Sequence, residues 1–502
     1  MESQCIVAAA IQSPPEAMVR LPNVIRHLVG SFYLELGYLR SMAKEPAGAL
    51  PPRLFGTNGV RGIVNTRQMD SQFALRLGMA IGTFMKGPVM LGTDTRTSSD
   101  MLRLACAAGI MAAGSQVLDC GITPTPALQY AVRMRRAAGG VVITASHNPP
   151  EFNGIKCIDS DGTEMSRENE ETIERIYHEG SHARADWTRV GSIEPFLTAN
   201  EDYVKGIVSR VDSAAIKAAN LRVALDCSNG AGALVTPKLL EKLGVRYVTL
   251  NADPDGTFPG HSSEPTPENS AQLIELVSKG GFDFGVIQDG DADRAIFVDD
   301  RGRYMYGDRS LGLVAHYICR DRKGGLVVTT VGSSMCVEDA VRMAGGSVIY
   351  TRVGSPVVAR VMKERNAVFG GEENGGLIFP EFQYCRDGGM SVAKVLEIVA
   401  KRGKMSDLLD SIPAYSQCKT KTPCSDKLKE HVMDKLASEA TGDRVDRTDG
   451  VKIFTVKGWV LVRPSGTEPI FRIFSEARTP LEAEELAESY KSRVEKLVKA
   501  KG

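Results

Sequence analysis

Val89-Met90-Leu91-Gly92-Thr93-Asp94-Thr95-Arg96 is a short apolar run that empties into a polar, glycine-bearing loop. A helical pattern follows over residues 99–113, then Gly114 and a second short strand at 116–118. The same grammar returns at Arg222-Val223-Ala224-Leu225-Asp226, with a loop at 227–232, a helix ending at Leu243, Gly244, and a strand at 247–250. It returns again at 326–330, through Val331-Gly332-Ser333-Ser334, a helix, Gly345-Gly346 and a strand at 347–350. Strand, polar loop, helix, glycine, strand is the βαβ unit of a parallel or mixed sheet. Three tandem α/β domains of similar topology are therefore predicted.

Past residue 411 the texture changes. Residues 418–450 are rich in Lys, Asp, Glu and Thr and predict an exposed helix plus a loop. Alternating strands at 452–456, 459–462 and 470–476 lead to a helix on which Leu486, Tyr490, Val494 and Leu497 recur at helical spacing. This predicts a smaller C-terminal α+β domain. The expected boundaries are 53–200, 201–305, 306–411 and 412–502, consistent with a chain of 502 residues that is too long for one core.

Residues 1–52 form an N-terminal extension with a weak helical pattern (Ile25, Leu28, Val29, Phe32, Leu36), and Met42 is an alternative start just ahead of the first informative motif. With 61 basic and 61 acidic residues the net charge is zero, which argues against nucleic-acid or membrane-surface partners. The longest apolar runs fall short of the roughly 18 residues that span a bilayer. The start carries Glu2 where a signal peptide carries basic residues. Ten cysteines include no Cys-x-x-Cys, which fits reduced thiols and a cytoplasmic location.

Four loops carry chemistry. The first, Thr144-Ala145-Ser146-His147-Asn148-Pro149-Pro150, leaves the strand 139–143 and continues to Asn153, Gly154 and Lys156. The prolines bar a helix, so Ser146 is expected to be displayed on a stiff loop, as a turn hydroxyl or as a nucleophile. The second, Asp289-Gly290-Asp291-Ala292-Asp293-Arg294, sits between apolar strands. Its alternating carboxylates repel one another unless they share a hard divalent cation, most simply Mg²⁺. An EF-hand is excluded, since Arg294 and Asp300 stand where its Gly and Glu would be. The third, Gly370-Gly371-Glu372-Glu373-Asn374-Gly375-Gly376, puts carboxylates and an amide on an expectedly mobile backbone suited to sugar hydroxyls. The fourth, Arg463-Pro464-Ser465-Gly466-Thr467-Glu468-Pro469, has the arginine, hydroxyls and loop N–H groups of a phosphate cradle.

Together with Phe55-Gly56-Thr57-Asn58-Gly59-Val60-Arg61-Gly62, these loops resemble the α-D-phosphohexomutases, in the family's order and from Leu54 to the C-terminus. The resemblance is strongest to the archaeal-type phosphoglucosamine mutase branch. It implies a heart-shaped, four-domain enzyme around a central cleft. It would interconvert hexose 1- and 6-phosphates, most readily glucosamine phosphates, with phosphomannomutase or phosphoglucomutase activity as the alternative. A phosphoserine at Ser146 and a hexose 1,6-bisphosphate intermediate are implied, with Ser146, Asp289, Asp291 and Asp293 around Mg²⁺.

By the same resemblance Arg61 and Lys156 would assist proton transfer and His147 would support the phosphoserine. Arg294, Glu372 and Asn374 would face the sugar, and Arg463, Ser465, Gly466 and Thr467 would hold the non-reacting phosphate. The Asn374-Gly375-Gly376 run departs from the Ser-Gly-His of many bacterial relatives. The last domain is expected to hinge over a sugar phosphate, in a monomer or homodimer. Rival readings are a phosphatase working through a phosphoserine and a non-catalytic sugar-phosphate binder.

Overall fold

In the computed structural model the described residues are 53–56, 58–440, 444–465 and 469–500. The expected N-terminal extension, the alternative start at Met42, and Gly466 and Thr467 lie outside them.

The first sheet is built from β1 (Val60–Ile63), β2 (Val89–Thr93), β3 (Val117–Ile122), β4 (Gly139–Ile143), β5 (Phe152–Ile158) and β6 (Ile193–Pro195). The second uses β7 (Arg222–Asp226), β8 (Arg246–Leu250), β9 (Phe284–Gln288), β10 (Ala295–Asp299) and β11 (Tyr304–Met305). The third uses β12 (Leu326–Thr330), β13 (Ser347–Thr351), β14 (Phe369–Gly371), β15 (Leu377–Phe379) and β16 (Gln383–Arg386). The last is β17 (Ser416–Pro423), β18 (Arg444–Asp446), β19 (Val451–Phe454), β20 (Gly458–Pro464) and β21 (Ile470–Ala477).

The first three sheets share one core pattern. Their spatial orders contain β5-β4-β2-β3, β10-β9-β7-β8 and β15-β14-β12-β13. In each, a βαβ pair runs parallel, a third strand returns parallel on the other side of the first, and a fourth turns back antiparallel. The central strands are buried throughout, as expected where helices cover both faces of a parallel sheet. The last sheet is antiparallel throughout, in the order β17-β21-β20-β19-β18.

This repetition places the functional loops. The Ser146 loop joins β4 to β5, the aspartate loop joins β9 to β10, and the Glu372 loop joins β14 to β15. All three therefore leave the carboxyl end of a parallel strand at the same point of the topology, where α/β sheets present ligands. The Arg463–Ser465 loop joins β20 to β21 of the last sheet.

Two expectations about local structure are corrected. Residues 418–450 are not only helix and loop: β17 and β18 flank the helix Asp426–Glu439. Both strands are sheet edges, whose solvent-facing charged side chains conceal the strand pattern. Asn153, Gly154 and Lys156 belong to β5, not to the Ser146 loop, and Arg61 lies on β1 opposite Gly154.

One apolar cluster runs from Leu225, Phe284 and Phe297 of the second sheet to Phe369 and Leu377 of the third. Separate clusters fill the layer between the first sheet and the helix Ser71–Met85 around Leu77, Ile110 and Ile143, and the last sheet around Val451, Ile473 and Val494.

Candidate active site

The aspartate loop is short because β9 and β10 pair up to Gln288 and Ala295, leaving six residues to turn the corner. Asp289, Asp291 and Asp293 are all buried, with one carboxylate oxygen from each lying within 4.8 Å of the others. Among the described residues, Asp291 Oδ1 and Asp293 Oδ1 have no hydrogen-bond donor. Buried carboxylate oxygens left this way are costly unless a cation takes them. The donor set is oxygen only, which fits a hard divalent cation such as Mg²⁺.

Ser146 joins this cluster directly. Its hydroxyl donates to Asp289 Oδ2 at 2.8 Å and lies 3.4 Å from His147 Nδ1. The residue is fully buried with φ 54°. The expectation of a displayed hydroxyl is therefore corrected: the loop folds down onto the second sheet, and the chain turns through a left-handed conformation that a serine seldom adopts. Burial among carboxylates is a different fate from burial in an apolar core.

Cations surround the carboxylates. Lys156 Nζ lies 2.6 Å from Asp291 Oδ2 and 3.4 Å from Asp293 Oδ2, instead of on the serine. Thr125 Oγ1 donates to the same Asp291 oxygen at 2.6 Å. Arg386 Nη2 reaches Asp293 Oδ2 at 2.6 Å, and Arg294 Nε stands 3.8 Å from both Asp289 and Asp293. Arg61 Nη1 donates to Asn148 Oδ1 at 2.8 Å, and its burial depresses the guanidinium pKa.

These surroundings sort the titrating groups. Burial, then the Asp293 and Asp291 charges, hold Asp289 well above the usual carboxylate range. Burial pushes Asp291 the same way, but the Lys156 ammonium reverses it and keeps that carboxyl low. Burial and then the Arg294 and Arg61 cations push His147 down to about 2. Its imidazole is thus held neutral beside the serine hydroxyl.

The Glu372 loop is held, correcting the expectation of a mobile backbone. Glu372 is buried; its Oε1 accepts from the Gly354 N–H at 3.0 Å and its Oε2 lies 3.4 Å from Arg386 Nη1. Burial raises its pKa while Arg386 opposes the rise. Asn374 Oδ1 is spent on the Gly376 N–H at 3.1 Å. The Gly375 carbonyl accepts from the Ala295 N–H at 3.2 Å, so the third sheet's loop docks onto the second sheet beside the aspartates.

Of the loop expected to cradle phosphate, Arg463 and Ser465 are described. Arg463 Nε pairs with Asp449 Oδ2 at 2.7 Å, and the Ser465 N–H donates to the Ile470 carbonyl at 3.0 Å. Asp449 Oδ2 also accepts from the Val353 N–H at 3.0 Å, next to the Gly354 that serves Glu372.

Three neighbours of the candidate site escape sequence reading: Thr125, Arg386 and Glu164. Glu164 is buried where sheets one and three meet, accepting from Asn58 and, at 2.5 Å, from Ser355 Oγ, with Arg386 at 3.6 Å. Each is a lone polar residue without a local pattern. The one available signal is Arg386-Asp387-Gly388, an adjacent pair of opposite charges where a short strand meets the helix Gly388–Arg402.

Family models described as phosphoglucomutase/phosphomannomutase alpha/beta/alpha domains I, II and III match residues 52–184, 201–302 and 306–415. The model of that family's C-terminal domain matches residues 420–491. A phosphoglucomutase/phosphomannomutase of Thermococcus kodakarensis is 46% identical over 87% of this chain and 97% of its own. A probable phosphoglucosamine mutase of Pyrococcus horikoshii is 40% identical over 89% of this chain and 98% of its own. A crystal structure of a phosphoglucomutase/phosphomannomutase family protein from Burkholderia thailandensis superposes with a TM-score of 0.80 at 26% identity, over 89% of this chain and 98% of that one.

Proposed function

This chain belongs to the phosphoglucomutase/phosphomannomutase family of isomerases, and we propose that it moves a phosphoryl group between the 1- and 6-hydroxyls of a hexose through Ser146. The observation that carries the proposal is the 2.8 Å hydrogen bond from the Ser146 hydroxyl to Asp289, inside a triad of buried carboxylates. A hydroxyl so placed is a phosphoryl carrier next to a cation site.

The steps follow from the positions of the side chains. Phosphorylated Ser146 gives its phosphoryl group to the free sugar hydroxyl: the Ser146 Oγ–P bond breaks, the sugar O–P bond forms, and the sugar proton passes to a neighbouring base. A hexose 1,6-bisphosphate results, with the proton delivered from that base to Ser146 Oγ. After it turns over, the other phosphate meets Ser146 and is taken back, with the serine proton moving to the sugar oxygen it leaves. His147 Nδ1, 3.4 Å from the serine oxygen, would support the phosphoserine at that atom. Asp289, Asp291 and Asp293 would hold Mg²⁺, which spreads the negative charge of the moving phosphoryl group. Arg294 and Arg61 would balance charge around it, while Lys156 keeps Asp291 ionised and in place.

Glu372 and Asn374 would orient the sugar, and Arg463, Ser465, Gly466 and Thr467 would grip the phosphate that is not reacting. Ser146 has no exposed surface in this form, so turnover requires the loops to part and the last domain to hinge. Glucosamine 6-phosphate is the proposed preferred substrate, in keeping with the name of the Pyrococcus relative. Glucose or mannose phosphate is the second reading, because the Thermococcus relative at 46% identity carries that name. No helix of the described residues is long and apolar enough to cross a membrane, and the setting is proposed to be the cytoplasm.

The test is a side-by-side assay of glucosamine, mannose and glucose phosphates with Mg²⁺, following the mass of the protein. One phosphoryl group should appear on wild-type protein and none on Ser146→Ala, which should not isomerise any of the three. Full turnover by Ser146→Ala defeats the covalent reading, and net phosphate release above isomerisation would favour a phosphatase.

A further inference from the structure

Arg96 is a buried guanidinium that the reaction as described does not use. All of its side-chain nitrogens are engaged, and all four bonds from its Nη atoms run to the backbone of the Ser146 loop or its exit. Nη2 donates to the carbonyls of Ser146 at 3.0 Å and Asn148 at 2.5 Å. Nη1 donates to the carbonyls of Pro149 at 2.6 Å and, at the start of β5, Phe152 at 2.8 Å. Nε is paired with Asp94 at 3.1 Å. Asp94 in turn accepts from Thr144 Oγ1 at 2.6 Å, and that oxygen accepts the Ser146 N–H at 2.9 Å. Both backbone groups of Ser146, on either side of its left-handed φ, are thus tied to one Asp94–Arg96 pair.

The clamp is roofed from the second sheet's side. The Phe258 ring lies 5.1 Å from the Arg96 guanidinium carbon, and a β-carbon at Gly256 would overlap the backbone of Thr95, Arg96 and Thr97. Ser263 Oγ donates to the Ser146 carbonyl at 3.4 Å. A β-carbon at Gly290 would stand 2.6 Å from that carbonyl.

We propose that Arg96, braced by Asp94 and capped by Phe258, is a positioning residue that holds the Ser146 backbone in its left-handed turn so that Oγ faces the aspartate cluster. The planar fork matters as well as the charge, because one ammonium cannot serve four carbonyls spread over residues 146–152. The inference rests on the reading of Ser146 as phosphoryl carrier.

Its test is single-turnover phosphorylation of the full chain by glucose 1,6-bisphosphate with Mg²⁺, read by intact mass. In that step a sugar O–P bond breaks, the Ser146 Oγ–P bond forms, and the serine proton goes to the sugar oxygen. Arg96→Lys is expected to slow phosphorylation on the order of 10²-fold, with the dissociation constant for the bisphosphate within about twofold of wild type. Phe258→Leu keeps the fork and removes only its roof, so it should fold and slow the same step about tenfold. Wild-type rates in both variants overturn the inference alone, as does an equal loss of rate and bisphosphate binding in both. A wild-type chain that never acquires a phosphoryl group overturns the proposed function and this inference with it.

Discussion

Lys156 Nζ lies 2.6 Å from Asp291 Oδ2, and neither side chain is more than 1% exposed. Such a pair offsets its own desolvation only while both members are present. Lys156→Met is therefore expected to cost about 3–5 kcal/mol of folding stability in EDTA, because it strands a buried carboxylate. Denaturant unfolding measures it, and a loss below about 1 kcal/mol would mean that Asp291 is solvated in ways this geometry excludes.

Metal and proton should compete at Asp289. Its carboxyl is raised to about 8 by burial and by the charges of Asp293 and Asp291. A carboxyl raised in the folded state binds a proton there that the unfolded chain has lost, so metal-free stability falls as pH rises from about 4 towards 8. Mg²⁺ takes the place of that proton, so the stabilisation it gives should grow over the same interval. Melting curves with Mg²⁺ and with EDTA at pH 6 and pH 8 check this. A Mg²⁺ shift in Tm that is equal or smaller at pH 8 contradicts it.

The limits of sequence reading follow from the same contacts. Asp289, Asp291 and Asp293 are legible because their alternation is local and bounded by apolar strands, and the βαβ repeat is legible because its periods switch locally. That Lys156 pairs with Asp291, or Arg386 with Asp293, depends on two sheets meeting, and no local pattern encodes it. Ser146 reads as displayed because a serine beside prolines usually is; its burial comes from the second sheet's loops closing over it. The edge strands β17 and β18 are hidden for the opposite reason, since Lys419 and Lys421 alternate outward on a strand with a single deeply buried side chain, Thr422.

Arg386 connects the loops of the second and third sheets, and the space for it exists because residue 376 is glycine. A β-carbon there would overlap Arg386 Cδ and Cγ. Gly376→Ala is expected to push the guanidinium off Asp293 and Glu372, weakening Mg²⁺ binding and lowering kcat roughly 10- to 100-fold. Calorimetric titration with Mg²⁺ and steady-state kinetics decide it. Wild-type metal affinity together with wild-type kcat would show that the arginine does not tie the two loops.

Asp449 joins the phosphate loop to the third sheet's unit. One of its oxygens accepts from Arg463 Nε at 2.7 Å and from the Val353 N–H at 3.0 Å, and the next residue, Gly354, donates to Glu372. If Arg463 grips the idle phosphate, Asp449 aims it, and the sugar loop is set by the adjacent peptide. Asp449→Asn keeps the size and the Val353 contact but removes the charge that orients the guanidinium. Binding to the idle phosphate is common to ground and transition states, so KM should rise about 3- to 10-fold with kcat within about twofold. A fall in kcat at constant KM would instead place Arg463 in the transferring step, and an unchanged KM would remove it from phosphate binding altogether.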